Sequence, residues 1–181
     1  IDLGVRFDTS REAPGFDLGR EGGHSRRRVL HAADFTGQEI ERVLVERCEA
    51  HPQIELLANR ISVDLVTTRK LGLTGRARIC GAYVMDEESG RVERCRARIV
   101  LLATGGCGKT YLYTSNPDIA SGDGIAMAFR AGATVANLEF MQFHPTCLLH
   151  PAARSFLISE AVRGEGGILR NRSGEAFMPR Y

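Results

Sequence analysis

Residues 98–113 read RIVLLATGGCGKTYLY, and this stretch decides which fold the chain is expected to have. From Ala103 onward it matches the phosphate-binding loop of nucleotide triphosphatases, apart from one Gly-to-Ala change. That loop needs a long helix directly after its Lys-Thr pair, because the amino terminus of the helix helps to hold the phosphates. Here Pro117 and Gly122 interrupt any helix that starts after Thr110. The sequence therefore argues against an ATPase and leaves the two glycines to another role.

The residues before the glycines predict strands. The apolar run that leads into them predicts a buried strand ending at Thr104, and the preceding segment predicts a hairpin with its turn at 87–90. Two shorter strands are predicted in IELL (54–57) and in SVDLVTT (62–68). Strands that alternate with helices predict an α/β fold in which one end of the sheet faces a ligand.

Two helices are predicted with clear boundaries. Thr36 and Glu39 have the spacing of a capping box, and the helix that follows is expected to end at His51-Pro52. A second helix, rich in small residues, is predicted from Asp123 to about Gly132.

The order of these elements indicates how the chain is organised. A strand followed by G-x-G-x-x-G, which normally opens a dinucleotide-binding domain, is missing, so the first βαβ unit of such a domain is expected upstream. The chain opens at Ile1 without a Met, and we therefore expect a fragment. Beyond Phe140 the composition shifts to His, Pro, Arg and Gly, which predicts a domain boundary between 1–141 and 142–181.

Composition excludes several functional classes. The 181 residues are 43% hydrophobic, and 24 basic against 22 acidic residues give a net charge of +2, which suggests neither a nucleic-acid nor a membrane partner. The run RRR at 26–28 is expected to be a solvated loop. Five cysteines without a C-x-x-C spacing argue against a disulfide framework and a metal site, so a reducing, cytoplasmic compartment is expected. No apolar run approaches the length of a membrane span, and no signal-like segment is present.

Five segments, in order, resemble one known family: REGGHSRRRVLHAADFTG, VLLATGG, TSNPDIASGDGIAMAFRAGA, NLEFMQFHPT and FLISEAVRGEGGILRN. They are similar to the flavoproteins of the succinate dehydrogenase, fumarate reductase and L-aspartate oxidase family, and the first segment and NPDI are similar to its aspartate-oxidising members. The resemblance covers nearly the whole chain, as the central part of such a protein. It implies part of a Rossmann-like FAD-binding domain over 1–141 and the start of an α+β capping domain over 142–181.

The resemblance also implies which residues contact FAD. Those assigned to the cofactor are Thr104, Gly105, Gly106, Asp123, Ile61 and Ser62. At the glycines a Cβ would collide with the cofactor, and the last two residues would lie against its adenine end. Without the resemblance, the glycines predict a tight turn, Asp123 an N-cap, and the last two residues ordinary positions at a strand entry.

A second set of residues is implied in binding and oxidising a dicarboxylate: Gln142, His144, Ser159, Glu160 and Arg163. The amide, imidazole and hydroxyl groups would donate to substrate carboxylates, and Glu160 with Arg163, one helical turn apart, would relay a proton. The alternatives that the residues alone leave open are a structural histidine and a surface ion pair.

Glu21 would select the substrate. Aspartate differs from succinate by an ammonium group, which a carboxylate in the site can pair with. Glu21 precedes two glycines and matches an acidic residue that the resemblance implies for aspartate-oxidising members. An unsupported Glu in a Gly-rich loop would instead be solvated.

The resemblance implies FAD-dependent oxidation of L-aspartate to iminoaspartate, for quinolinate and NAD synthesis, with electrons passed to oxygen or fumarate and contact with quinolinate synthase. The resemblance also implies that the catalytic base is an Arg of the capping domain, expected beyond Tyr181. Two alternatives stay open. One is a succinate dehydrogenase or fumarate reductase subunit with an iron–sulfur partner and a membrane anchor, and the other is an inert piece without flavin.

Overall fold

The computed structural model describes residues 1–11, 14–152 and 156–180. The chain divides into two compact units. The split unit consists of two segments, Ile1–Leu56 and Ile158–Tyr181, and the continuous unit is Leu57–Leu157. The boundary expected after residue 141 concerns functional domains and stays a prediction; within 142–181, residues 153–155 and 181 lie outside the described part.

The described residues form short strands, three α-helices and two 3-10 helices. In chain order these are β1 (Leu18–Gly19), β2 (Val29–Leu30), α1 (Thr36–Glu49), β3 (Arg60–Thr67), β4 (Ile79–Asp86), β5 (Val92–Arg96), the 3-10 helix Gly108–Thr110, α2 (Asp123–Arg130), β6 (Cys147–Leu148), β7 (Phe156–Leu157), α3 (Glu160–Gly164) and the 3-10 helix Met178–Arg180.

The split unit is built around α1 and a two-stranded ribbon. β1 and β2 pair antiparallel, with Leu18 opposite Leu30 and Gly19 opposite Val29. Between them the chain makes the loop of residues 20–28. Of the apolar residues that α1 presents at helical spacing, Val43 is buried, with 3% of its surface exposed.

The predicted helix 36–49 is confirmed, but its predicted capping box is wrong. The residue that precedes α1 is Phe35, and no side chain caps the first turn. The Thr36 hydroxyl instead accepts a hydrogen bond from the Ala32 N–H at 3.1 Å. The Glu39 carboxylate accepts one from the Arg6 N–H at 3.2 Å. Both side chains thus bind backbone N–H groups that precede the helix, and not the N–H groups of its first turn. These bonds hold the chain segment that leads into α1.

The continuous unit contains a three-stranded antiparallel sheet in the order β3-β4-β5. The predicted hairpin is confirmed: β4 and β5 are joined at 87–91, where the Asp86 carboxylate accepts a hydrogen bond from the Ser89 N–H at 2.7 Å. α2 lies against β3. Leu65 and Val66 of β3 and Met127 of α2 are among the buried apolar residues of this unit.

Two predicted strands are absent from the described part of the chain. Residues 54–57 and 98–104 have no strand assignment, and the side chains of Ile99 and Leu101 are each 87% exposed. A strand requires a neighbouring backbone to satisfy its N–H and C=O groups, and neither segment is paired with a described strand. Apolar content alone therefore gave the wrong prediction here.

Among the residues that the structure describes, no helix has both the length and the apolar character needed to cross a membrane.

Candidate functional site

The loop between β1 and β2 carries Glu21, and it packs on α3. The Arg20 guanidinium donates two hydrogen bonds to the Gly164 carbonyl, through Nε at 2.7 Å and through Nη2. A Cβ built on Gly164 would overlap the carbonyl oxygen of Arg20, and one built on Gly22 would lie 3.1 Å from Cζ of Arg163. Residues 20–22 and 163–164 therefore interlock.

This contact brings two predicted site residues to one cleft of the split unit. The cleft has a volume of about 500 Å³, and both Glu21 and Ser159 line it. The Glu21 side chain is exposed, and in the described part of the chain its carboxylate has no ion-pair partner. A solvent-facing carboxylate of this kind can accept a cationic ligand.

Ser159 is the N-cap of α3. Its hydroxyl oxygen accepts a hydrogen bond from the Ala161 N–H at 3.2 Å. A hydroxyl that accepts one bond still has its own proton to donate, so capping and ligand binding are compatible.

Glu160 and Arg163 form the ion pair predicted from their spacing, with Arg163 Nη2 and Glu160 Oε1 3.0 Å apart. Arg163 also has a buried Nε that lacks a hydrogen-bond partner among the described atoms. The pair is partly buried rather than fully solvated, because the Gly22 backbone covers the guanidinium.

The split unit contains charged contacts that the sequence analysis missed. Arg27, expected to be solvated, pairs with Glu165 at 2.7 Å. The hydrogen bond with Glu165 raises the pKa of Arg27, and the same bond lowers the pKa of Glu165. His31 lies between two carboxylates, with Nδ1 3.1 Å from Asp8 and Nε2 3.8 Å from Asp17. The partners in these pairs lie far apart in the sequence, so no local pattern predicted them.

In the continuous unit, His144 and Gln142 line a cavity of about 160 Å³ together with Tyr111, Asn116 and residues near them. His144 is half-buried, and its Nδ1 accepts a hydrogen bond from the Thr146 N–H at 3.2 Å. The neutral ring therefore carries its proton on Nε2, as a donor to a carboxylate requires.

The turn at His144 is not by itself a site signature. His51 and His150 are also followed by Pro, and each accepts a hydrogen bond from the N–H two residues on, at 3.2 Å. The bond is thus a property of the His-Pro-x turn. What distinguishes His144 is its place in a cavity.

The residues predicted to contact a cofactor lie in three places. Ile61 and Ser62 stand at the exposed start of β3, opposite Met85 and Val84. Asp123 is the first residue of α2 and is preceded by Gly122, so the predicted N-cap role is wrong and its carboxylate lies in the first turn. The first turn of a helix favours negative charge, which explains an acid at this position.

Thr104, Gly105 and Gly106 form the third place. Thr104 packs against Gly124 of α2, and a cavity of about 430 Å³ is lined by Thr104, Gly105 and the first two turns of that helix. Gly105 has φ +71°, and a Cβ built on either glycine meets no atom within 4 Å. The backbone of both glycines therefore faces open space that a ligand could enter closely.

The Lys that resembled a phosphate-loop residue is engaged elsewhere. The Lys109 side chain pairs with Asp118, and the backbone N–H of Lys109 donates to the Ala120 carbonyl at 2.9 Å. Lys109 lies within the 3-10 helix Gly108–Thr110, and the next helix begins only at Asp123. The expectation that no long helix follows Thr110 is confirmed.

A protein-family model described as "FAD binding domain" matches residues 1–181. The chain is 57% identical to an L-aspartate oxidase of Yersinia pestis over 181 residues, which cover 98% of this chain and 34% of that protein. It is 61% identical to an L-aspartate oxidase of Pseudomonas aeruginosa over 166 residues, which cover 92% and 31%. A solved structure titled "Quinol-Fumarate Reductase with Menaquinol Molecules" matches with a TM-score of 0.85 and 31% identity, over 99% of this chain and 29% of that one. The chain thus spans about a third of the length of these relatives.

Proposed function

The chain belongs to the FAD-binding domain family, and from this membership we propose that it contributes to the FAD-dependent oxidation of L-aspartate to iminoaspartate. The observation that carries the proposal is the identity of 57% and 61% to two L-aspartate oxidases over nearly the whole chain. Since the chain spans about a third of those proteins, the proposal concerns the reaction to which these residues contribute.

FAD is the cofactor of this family, and the residues of the continuous unit fit it. The open space at Gly105 and Gly106 lets a flat or phosphate-bearing group approach the backbone closely. When bound, FAD supplies the two-electron oxidation by taking a hydride from Cα of the substrate. We assign the cofactor contacts to Thr104, Gly105, Gly106, Asp123, Ile61 and Ser62.

Aspartate presents one ammonium and two carboxylates to its site. We assign the ammonium to Glu21, whose carboxylate faces a cleft without an ion-pair partner in the described part of the chain. We assign hydrogen bonds to the carboxylates to Ser159, His144 and Gln142, because each carries a proton that it can donate. These contacts would orient the Cα–H bond for oxidation.

Oxidation of the ammonium form of aspartate to the protonated imine releases one proton from nitrogen as well as a hydride from carbon. We assign the relay of that proton to Glu160, beside Arg163 at 3.0 Å. A carboxylate can accept the proton and pass it on, and the neighbouring guanidinium stabilises the charged carboxylate that is present before the proton arrives and again after it leaves.

We also propose an electron acceptor, a fate for the product and a compartment for the reaction. Electrons pass to oxygen or fumarate, and the product supplies quinolinate and NAD synthesis through contact with quinolinate synthase. We place the enzyme in the cytoplasm, which agrees with five cysteines that are all free.

A second candidate is the flavoprotein subunit of a succinate dehydrogenase or fumarate reductase. The TM-score of 0.85 to a quinol-fumarate reductase favours it, but the 31% identity is well below that to the aspartate oxidases. It would require an iron–sulfur partner and a membrane anchor. The third alternative, an inert piece, predicts a purified protein without flavin absorbance.

Glu21→Gln in the full-length enzyme separates the first two candidates. The change keeps the size of the side chain and deletes its charge, so kcat/KM for aspartate oxidation should fall about tenfold or more. Fumarate, which has no ammonium, should be reduced nearly as fast as by the parent enzyme. Glu88→Gln, in the exposed turn after β4, is the matched control and should change neither rate. Equal losses for both substrates would overturn the role of Glu21.

A further inference from the structure

Two side-chain contacts join the Glu21 loop to the end of α3: Arg20 binds Gly164, and Arg27 pairs with Glu165. The carbonyl that Arg20 binds belongs to Gly164, the last residue of α3, where a helix has no internal donor left for its C=O groups. Both Nε and Nη2 of Arg20 donate to that oxygen. A planar guanidinium can make this fork, and its positive charge is favoured at a helix carboxyl terminus.

The backbone on either side of Arg20 is held as well. The Arg20 carbonyl lies against the Cα of Gly164 so closely that a Cβ there would overlap its oxygen. Gly22 lies against the guanidinium of Arg163, and a Cβ built on Gly22 would be 3.1 Å from the Arg163 Cζ. Glu21 is the residue between these two contacts, and its own side chain is exposed and makes no hydrogen bond to protein among the described residues.

These observations separate two tasks within one tripeptide. Arg20 and Gly22 fix the backbone to α3, while Glu21 projects into the cleft that Ser159 also lines. Arg20, directly before Glu21, anchors the backbone that presents the Glu21 carboxylate beside Ser159, and the Arg27–Glu165 pair holds the far end of the same loop.

We infer that Arg20 is a positioning residue that acts through Glu21 and determines selectivity for the amino-bearing dicarboxylate. The inference rests on the proposed function, in which Glu21 receives the ammonium of aspartate. Arg20 also lines this cleft, but its Nε and Nη2 are both engaged by the Gly164 carbonyl. Its loss removes the anchor next to Glu21, so the ammonium loses a well-placed partner while a dicarboxylate without an amine is little affected.

The test is a double-mutant cycle in the full-length holoenzyme. We expect Arg20→Gln to raise KM for aspartate and to lower the aspartate-to-fumarate ratio of kcat/KM about tenfold, with kcat for fumarate reduction nearly unchanged. Because Arg20 acts through Glu21, the Arg20→Gln/Glu21→Gln double variant should have the same ratio as Glu21→Gln alone. Arg20→Lys keeps the charge but cannot make the fork, so it should restore the ratio only in part.

A second variant reaches the same contact from the other side. Gly164→Ala places a Cβ against the Arg20 carbonyl and should lower the ratio without removing any charge. Arg26→Gln, an exposed arginine of the same loop, is the matched control and should keep the parent ratio.

The outcomes distinguish the inference from the function on which it rests. If Glu21→Gln lowers the ratio and Arg20→Gln does not, or if the two losses add in the double variant, the positioning role is overturned and the function stands. Equal losses for both substrates in Arg20→Gln would show a merely structural role. If Glu21→Gln leaves the ratio unchanged, the assignment of the ammonium fails first.

Discussion

Gly124 of α2 and Thr104 are packed so closely that a Cβ built on Gly124 would overlap the Thr104 hydroxyl oxygen and lie 3.0 Å from its Cβ. We therefore expect Gly124→Ala to destabilise the protein by about 1–3 kcal/mol, although Ala is the better helix former. The midpoint of thermal or urea unfolding measures the effect. An unchanged or raised midpoint would contradict the contact.

Gly106→Ala should leave stability unchanged and weaken the binding of FAD. A Cβ on Gly106 meets no protein atom within 4 Å, and Gly106 has no positive φ, so unfolding should be unchanged. Affinity of the full-length apoenzyme for FAD should fall about tenfold or more, because the added methyl group occupies space assigned to the cofactor. Titration of FAD, followed by flavin fluorescence, measures it. Parent affinity in this variant would remove Gly106 from the cofactor site.

His144→Ala should lower kcat/KM for aspartate about tenfold to a hundredfold, since a hydrogen bond to a charged carboxylate is lost. His150→Ala is the matched control, because His150 accepts the same local hydrogen bond as His144 in a His-Pro-x turn. Rapid-mixing measurement of flavin reduction compares the two. Similar rates for both variants would mean that His144 only shapes its turn.

Acid should weaken the entry to α1 through Glu39. Hydrogen bonds from Arg42, and secondly from the Arg6 N–H, lower the pKa of Glu39 to about 2 from 4.5. A carboxyl with a lowered folded-state pKa contributes stability above its unfolded value, and that contribution is lost as pH falls from about 4.5 through about 2. Glu39→Gln should flatten this part of the stability–pH curve. A parallel curve for parent and variant would refute the assignment.

The predictable parts of the fold were those encoded locally. α1 follows from the helical spacing of its apolar side chains, and the β4–β5 hairpin follows from turn residues such as Ser89 and Gly90. Each of these signals lies within a short stretch of sequence. The segment 98–104 failed because a strand depends on a partner elsewhere in the chain. The predicted capping box is wrong because the Thr36 hydroxyl accepts a hydrogen bond from the Ala32 N–H and not from an N–H of the first turn of α1. The spacing of Thr36 and Glu39 does not reveal this alternative donor.

The sequence proposes candidate site residues, but it does not show how they are arranged. The ion pair of Glu160 with Arg163 follows from helical spacing. The sharing of one cleft by Glu21 and Ser159 does not, because it depends on the Arg20–Gly164 contact between residues 144 positions apart. Such contacts leave no periodic trace in the sequence. The assigned roles of these residues stay predictions until the variants are measured.

The split unit also constrains the order in which the chain acquires its structure during synthesis. Its two segments, Ile1–Leu56 and Ile158–Tyr181, are separated by the whole continuous unit. The Gly164 carbonyl can reach Arg20 only after the ribosome has released every residue of Leu57–Leu157, whereas the β3-β4-β5 sheet and α2 can assemble before that. The nascent β1–β2 loop therefore lacks its partner in α3 until then, and the cleft beside Glu21 cannot form before the continuous unit has been synthesised.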